Sequence, residues 1–275
     1  KNSARSNNSL DMIAILLLLA VSQSSLPASS AMSITSTGGG GKTIINHLLQ
    51  RTSLTQSYYA LRHGQSLANV AKIISSDPKI STVQHGLSNV GKDQARSAGE
   101  SFAEEYRRSS SANEEDCCRG VAIFSSDFAR ARETASIFAD ALDRSRIPLY
   151  TGDIVLERRL RERYFGELNG GPDTRYQEVW DVDIEDADHN EFGVESANSV
   201  LERTTKLITE IDNQMQSTAG GGSEEEGSCW KCVLVAHGDV LQIMQTGYLK
   251  HSDASRHRSL QHLETATIRE LSLVS

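Results

Sequence analysis

Two histidines in this chain occupy the same kind of position, at the end of an apolar run and directly before a glycine. His63 follows the run at residues 58–61, and His237 follows the run at residues 232–236. Such runs are typical of buried strands, and ligands of open α/β sheets bind where the chain leaves the carboxyl ends of strands. Arg62 adds donors for an oxyanion, and a histidine can be a nucleophile or a base. One Arg-His-Gly sequence also fits an ordinary loop, but two strands of this design predict an anion-binding catalytic site.

A third candidate for the same site is Arg130. Residues 121–124 form an apolar run that predicts another strand, and Asp127 is predicted to cap a helix over residues 129–142. Arg130 would then lie in the first turn of that helix, where unpaired backbone N–H groups already favour an anion. The alternative is a solvent-facing helix arginine such as Arg132.

Four motifs, in this order along the chain, resemble those of the histidine phosphatase superfamily, the phosphoglycerate-mutase-like proteins. The resemblance covers roughly residues 58–273. The motifs are Leu61-Arg62-His63-Gly64-Gln65 followed by Asn69, Ser125-Ser126-Asp127-Phe128-Ala129-Arg130-Ala131 with Thr134-Ala135, Leu160-Arg161-Glu162-Arg163 before Gly166, and Val235-Ala236-His237-Gly238. The number and order of the motifs make the resemblance specific.

The resemblance implies a metal-independent phosphomonoesterase that acts on a small phosphate ester and needs no cofactor. His63 would be the nucleophile and would form a phosphohistidine that water hydrolyses, while Glu162 would protonate the leaving alkoxide. Phosphoryl transfer also requires that the phosphoryl oxygens be neutralised, a task for Arg62, Arg130 and His237. The remaining residues that the motifs associate with substrate binding or with orienting His63 are Gln65, Asn69, Gly64 and Gly238.

Other residues of the same types are weaker candidates. Glu157 and Glu167 lie near Glu162 in an arginine-rich stretch and also fit surface charges, so the position in the motif favours Glu162. Ser125 lacks the His–Asp relay that would activate a serine. No role is assigned to five histidines outside the motifs, which form no zinc-type pair with the cysteines: His85, His189, His251, His257 and His262.

Two other functions fit the resemblance: a phosphoglycerate-type mutase, and a non-catalytic member of the fold that binds a phosphate ligand or a protein. Against a mutase, residues 169–195 form a short segment with nine acidic side chains and one arginine, Arg175, which would repel the second anionic end of a bisphosphate. Four arginines around Glu162 argue the other way, because they could bind that second charge: Arg158, Arg159, Arg161 and Arg163. Against a non-catalytic protein, the chain retains every motif residue with a chemical role.

The N-terminal residues 1–57 are predicted to be a targeting segment and flexible linker, which leaves residues 58–275 for the catalytic domain. Lys1 precedes an apolar run at residues 12–21 and a small-residue stretch at residues 28–31, the order of a secretory signal. The segment is also Ser-rich and poor in acids, which suits an organelle transit peptide. We therefore expect the secretory pathway or an organelle, with a cytoplasmic protein as the alternative, and no stable membrane span.

A glycine run at residues 38–41 precedes Lys42 and Thr43 and resembles the end of a phosphate-binding loop. No apolar strand precedes it, as such a loop would require. A flexible linker is the favoured interpretation.

Alternating strands and helices predict an α/β fold, and the resemblance makes it a phosphoglycerate-mutase-like three-layer α/β/α sandwich with a largely parallel sheet. Ser88 is predicted to cap a helix that begins at Asn89. Further predicted elements are helices over residues 196–215 and 240–249 and a closing strand over residues 265–273. Two polar stretches, residues 108–116 and 214–228, are predicted loops that enter strands and therefore lie away from the site.

The composition restricts the partners. A net charge of −8 without a dense basic cluster argues against nucleic acid, so an anionic substrate needs a local basic pocket. Four cysteines precede two strands that the resemblance makes neighbours: Cys117, Cys118, Cys229 and Cys232. Four free thiols are favoured, and a bridge such as Cys118–Cys232 is the alternative in an oxidising compartment. The oligomeric state is left open.

Overall fold

The computed structural model describes residues 45–112, 118–219 and 229–274. Residues 1–44 of the predicted targeting segment and linker, which include the glycine run before Lys42 and Thr43, lie outside these ranges, and so does Cys117. Within the described ranges, no helix is both long enough and apolar enough to cross a membrane.

Five strands form one mixed sheet in the described part of the chain. The strands are β1 (Ser57–Arg62), β2 (Val121–Ser125), β3 (Val155–Leu156), β4 (Lys231–Ala236) and β5 (Ile268–Leu271). Their order is β3-β2-β4-β1-β5, in which β5 runs antiparallel to β1 and all other neighbours are parallel. Arg62 lies opposite Ala236, so the residues that follow them, His63 and His237, leave the same edge of the sheet.

Helices cover both faces of the sheet, which confirms the predicted three-layer sandwich. The α-helices are α1 (Leu67–Ala71), α2 (Pro78–Ser81), α3 (Asn89–Ala112), α4 (Ala129–Arg144), α5 (Tyr176–Glu185), α6 (Ala197–Ala219) and α7 (Gly238–Tyr248). Strand residues such as Ile123 and Val233 pack with α3 and α4, whereas Ala60 and Leu234 pack with α6 and α7. Because both faces are covered, the central strands β2 and β4 are buried at every residue instead of alternating.

The predicted starts of α3 and α6 are correct, and their predicted ends are too early. Ser88 caps α3 because its Oγ accepts the Gly91 N–H at 3.0 Å. α3 continues to Ala112 and α6 continues to Ala219, through residues predicted as loops. The added residues include neither glycine nor proline, and a polar composition by itself does not end a helix.

The predicted cap of α4 by Asp127 is wrong. The helix begins after Phe128 without a side-chain cap, and the Asp127 carboxylate instead accepts from Arg161 Nε and Nη2, both at 2.6 Å. A bidentate pair with a guanidinium is stronger than a neutral hydrogen bond. The Phe128 N–H donates to Ser126 Oγ at 3.3 Å.

Residues 45–56, predicted as part of the flexible linker, pack on the domain. Leu48 is fully buried in the core that includes α6 and α7. Asn46 Nδ2 donates to the carbonyl oxygens of Gly247 (3.2 Å) and His251 (2.8 Å). Asp212 of α6 accepts backbone N–H groups of residues 55 and 56. The folded domain therefore begins before residue 58.

The structure contains a bridge between the cysteines that precede the two strands, as the alternative predicted, but the partner of Cys118 is a different cysteine. Cys118 and Cys229 form a disulfide, so four free thiols and a Cys118–Cys232 bridge are both wrong. Cys118 and Cys229 lie on the side of the sheet that carries α3 and α4, whereas Cys232 is buried on the other side, with its Sγ 3.7 Å from Met215 Sδ. The sheet itself separates Cys118 from Cys232.

Removing this disulfide should lower the free energy of unfolding of the domain. It should not change the carboxyl ends of the strands, where His63 and His237 lie. The bond joins residues 111 positions apart, and a crosslink of this kind typically stabilises a domain by about 2–4 kcal/mol. The paired substitutions Cys118→Ser and Cys229→Ser should lower the urea midpoint accordingly. Reductant should shift the wild type to the same midpoint and leave the variant unchanged. Equal stability of the variant and the oxidised wild type would contradict the bond.

Candidate active site

A cavity of about 300 Å³ opens at the carboxyl ends of the parallel strands. Six of the nine predicted site residues line it: Arg62, His63, Asn69, Arg130, Glu162 and Gly238. The His237 ring is completely buried beside it, with its centroid 5.1 Å from that of His63. The chain folds so that the ends of β1 and β4 and the first turn of α4 bring these distant residues together.

His63 presents one ring nitrogen to the cavity. Its backbone N–H donates to Ala236 O at 3.0 Å, and its Nδ1 lies 2.7 Å from Gly64 O. A carbonyl only accepts, so the hydrogen is on Nδ1, and Nε2 accepts from Arg130 Nε at 3.1 Å. Burial, followed by the charges of Arg130 and Arg62, holds the His63 pKa well below its ordinary value. The ring is therefore neutral and offers a lone pair beside two cations, as a histidine nucleophile requires.

Gly64 and Gln65, which the motifs associate with substrate binding or with orienting His63, do not line the cavity. A Cβ on Gly64 would lie 2.4 Å from the Gly91 carbonyl oxygen, so the glycine allows the loop after β1 to touch α3. The Gln65 side chain turns away and accepts the Ser88 hydroxyl at 2.7 Å. The Gly64 carbonyl oxygen thus holds the His63 ring, and Gln65 joins the loop after β1 to Ser88 at the start of α3.

Three buried nitrogen atoms around the cavity have no hydrogen-bond partner in the described part of the structure: Arg62 Nε, Arg130 Nη1 and His237 Nδ1. The other ends of the two guanidinium groups are fixed, because Arg130 Nη2 donates to Ser75 O (2.9 Å) and Arg62 Nη1 donates to Leu263 O (2.8 Å). Leaving a buried donor without a partner costs about 1–3 kcal/mol. Three such atoms in one place indicate a ligand that accepts hydrogen bonds.

The orientation of His237 follows from Ser126. Ser126 Oγ, which accepts the Phe128 N–H, lies 2.9 Å from His237 Nε2, and its hydroxyl hydrogen is free to donate to that nitrogen. Nδ1 then carries the ring hydrogen, and it lies 3.9 Å from Glu162 Oε2. Burial, with the charge of Arg130, holds the His237 pKa well below its ordinary value. His237 is thus a neutral donor.

Glu162 is one of the acidic residues that line the cavity, and it lies in the arginine-rich stretch at residues 158–163. Burial raises its pKa to about 7, against the opposing charge of Arg130 and with the help of Asp239. Its Oε1 accepts the Arg163 N–H at 3.2 Å, and its Oε2 lies 3.9 Å from Arg130 Nη2. The carboxyl group is consequently protonated over the acidic half of the physiological range and can give up that proton.

A buried ion pair positions Glu162. Arg163 donates through Nη1 and Nη2 to the Asp183 carboxylate at 2.6 and 2.8 Å, and both side chains are fully buried. Asp183 lies in α5, whose Trp180 Nε1 donates to Asp239 Oδ1 at 2.9 Å. Removing one partner of such a pair costs about 3–5 kcal/mol. The pair therefore ties the segment of Glu162 and the first turn of α7 to one wall of the cavity.

That wall is aromatic and acidic. Tyr176 and Trp180 stack with their ring centroids 5.4 Å apart, and the Arg258 guanidinium lies 3.6 Å from the Trp180 ring centroid. Asp173 also lines the cavity, and its carboxylate makes no hydrogen bond or ion pair with another described residue. The part of a substrate that extends beyond the nitrogen donors of Arg62, Arg130 and His237 would contact this wall.

A family model described as histidine phosphatase superfamily (branch 1) matches residues 58–274. The chain belongs to this superfamily. No curated protein sequence matches the chain. A mycobacterial glucosyl-3-phosphoglycerate phosphatase solved with VO3 is 24% identical with a TM-score of 0.57, over 79% of this chain and 91% of that chain. Phosphoglycerate mutase from Bacillus anthracis is 17% identical with a TM-score of 0.53, over 78% of this chain and 86% of that chain. At these identities the two structures show the shared fold.

The superfamily motifs thus meet at one sheet edge, whereas Glu157 and Glu167 do not line the cavity. Asn69 lines the cavity while its Oδ1 accepts from Ser66 N (3.0 Å) and Oγ (2.9 Å), which leaves its amide hydrogens for a ligand. Glu157 accepts the Arg159 N–H at 2.9 Å and caps a short turn, and Glu167 is exposed. Among the described residues, no group of three or more His, Cys, Asp or Glu side chains could hold a metal ion.

Sequence reasoning missed three residues of this superfamily site. Ser126 lies inside a motif and Asp239 directly follows one, so their positions in the sequence could have identified them as site residues. His262 was assigned no role, yet it lines the cavity and contacts Arg62. It has no local pattern, because its contact joins residues 200 positions apart in the chain.

Proposed function

We propose that the protein is a phosphomonoesterase that uses no metal ion and acts through a phosphohistidine on His63. One observation carries this proposal: the lone pair of the neutral His63 Nε2 lies beside the unpartnered donors Arg62 Nε, Arg130 Nη1 and His237 Nδ1. Phosphoryl transfer depends on positioning and on neutralising the phosphoryl oxygens. One guanidinium at 4 Å from such an oxygen contributes about 4 kcal/mol at an effective dielectric of 20.

The residues divide the reaction into two steps. In the first, the Arg130 Nε–H passes from His63 Nε2 to a phosphoryl oxygen and frees the lone pair. His63 Nε2 then forms a bond to phosphorus, the bond to the ester oxygen breaks, and Glu162 gives its proton to that oxygen. In the second, water attacks the phosphohistidine, the Glu162 carboxylate takes a proton from the water, and Nε2 is released with inorganic phosphate. Arg62, Arg130 and His237 donate to the phosphoryl oxygens throughout.

Hydrolysis is favoured over isomerisation because the arginines near Glu162 do not line the cavity. Arg159 binds Glu157 and Glu210, and Arg161 and Arg163 have the partners described above. Arg158 is exposed. Of the acidic segment at residues 169–195, Asp173 is the acid that lines the cavity. A second anionic group on the substrate would meet this carboxylate instead of a cation.

The proposal is tested by trapping the intermediate. Radiolabelled p-nitrophenyl phosphate should give a burst of nitrophenolate, and quenching in base should recover label on the protein that acid then releases. EDTA should leave the rate unchanged, because nitrogen donors supply the positive charge. A strong loss of rate in EDTA that a divalent metal restores, or no labelled protein at any time, would contradict the proposal.

The charge of the leaving group should affect kcat/KM. Glycerol 3-phosphate should exceed 3-phosphoglycerate in kcat/KM by about tenfold, the size expected for one extra like charge near Asp173. Asp173→Asn should reduce this ratio, whereas Asp181→Asn, on the exposed face of α5, should not. Both products of 3-phosphoglycerate are followed, with and without 2,3-bisphosphoglycerate. Isomer that forms faster than inorganic phosphate would make the protein a mutase.

A further inference from the structure

His262 contacts the guanidinium group of Arg62. Arg62 Nη1 lies 2.7 Å from His262 Nε2 and 2.8 Å from Leu263 O. Two acceptors for the two hydrogens of one nitrogen fix the plane of the guanidinium. The Nε–H of the same group is then directed elsewhere, and it is the buried atom without a partner.

The neighbours of His262 determine which of its nitrogens carries the hydrogen. Gln242 Nε2 donates to Leu260 O at 2.6 Å, and Gln242 Oε1 accepts from Arg258 Nη1. The amide oxygen of Gln242 therefore faces His262 Nδ1, at 3.4 Å. Nδ1 must be the donor in this contact, so Nε2 is the acceptor that Arg62 requires.

The contact is also enforced by packing. A Cβ on Gly238 would lie 3.0 Å from His262 Cε1 and 3.2 Å from Arg62 Nε. Both side chains therefore pack against the first turn of α7, where a larger residue would not fit without moving them. Burial, with the charges of Arg62 and Arg258, lowers the His262 pKa, against the weaker opposing effects of Glu264 and Asp239. His262 is accordingly neutral beside the arginine.

We propose that His262 is a positioning residue, a neutral acceptor that aligns Arg62 so that its Nε–H points at the phosphoryl group of the substrate. The inference rests on the proposed function for the identity of that group. It assigns a role to a residue outside the motifs. His262 acts through Arg62 and not on the reacting atoms.

Two substitutions of similar size test whether His262 acts by accepting a hydrogen bond or only by filling space. His262→Gln keeps an acceptor at the position of Nε2, whereas His262→Leu removes it. His262→Leu should weaken the binding of inorganic phosphate, measured by calorimetry, by about tenfold or more, the effect of losing one charge-assisted hydrogen bond. It should raise KM for p-nitrophenyl phosphate similarly, while His262→Gln should stay within about threefold of the wild type. His251→Leu, outside the cavity, should change neither.

A double-mutant cycle tests whether the effect passes through Arg62. In an Arg62→Ala background, His262→Leu should change phosphate affinity by less than about twofold. Additive effects, an equal loss in His262→Gln and His262→Leu, or no binding of phosphate by the wild type would each overturn the inference. Because phosphate binding is measured without turnover, a wild type that binds phosphate with this His262 dependence but forms no phosphoenzyme would overturn the proposed function alone.

Discussion

Replacing His63 with alanine is expected to remove turnover of p-nitrophenyl phosphate, by at least about 10⁴-fold, and to leave the domain folded. Loss of a nucleophile has effects of this size or larger in enzymes that form covalent intermediates. The neighbouring His237 is not expected to substitute, because its Nδ1 carries the ring hydrogen in the arrangement that Ser126 supports, and a protonated ring nitrogen has no lone pair to attack phosphorus. The measurement is kcat together with the amount of labelled phosphoprotein in the quenched reaction, and both should vanish.

Phosphate binding distinguishes a lost nucleophile from a damaged site. The variant retains Arg62, Arg130 and His237, so inorganic phosphate should bind within about tenfold of the wild-type affinity. His251→Ala provides the matched control, since that histidine lies outside the cavity. Retention of more than a few per cent of activity in the His63 variant would show that another residue accepts the phosphoryl group.

The motif residues were predictable because their chemistry is tied to strand ends and helix starts, which the sequence marks locally. His63 and His237 each follow an apolar run and precede a chain reversal or a helix. In a parallel sheet such ends meet at one edge, so a correct fold class already places them together. Arg130 follows in the same way from the start of α4.

Contacts that depend on which face a side chain takes were not predictable in this way. The central strands β2 and β4 are buried on both faces, so their apolar runs do not reveal the face of any one residue. For that reason Cys232 was considered as a partner of Cys118, although the sheet lies between them. β3 has two residues, too few to show a pattern.

The sequence also does not show which of several possible partners a side chain will bind. Asp127 stands where a helix cap is expected, but Arg161, far along the chain, binds its carboxylate through both guanidinium edges. The same kind of distant contact connects His262 with Arg62. Local spacing indicates which hydrogen bonds a residue could make, and only the fold decides which partner is present.

Glu162→Gln is expected to slow alkyl phosphate hydrolysis by about 10²–10⁴-fold, the usual contribution of a general acid. An alkoxide is a poor leaving group without a proton, whereas nitrophenolate leaves readily without one. The burst of nitrophenolate from p-nitrophenyl phosphate reports the first step alone, and it should fall by no more than about tenfold. Glu167→Gln, an exposed position in the same stretch, should affect neither substrate.

The pH dependence gives an independent test of the same role. Burial raises the pKa of Glu162 to about 7, so the acid form is present below that pH and is lost as the pH rises through it. In the wild type, kcat/KM for glycerol 3-phosphate should therefore decline above pH 7, while the neutral His63 imposes no matching decline until well below its ordinary pKa. The glutamine variant should lack the alkaline decline, because its amide does not titrate. If the decline persists unchanged in Glu162→Gln, the proton comes from another group, and Glu162 has a supporting role in the cavity.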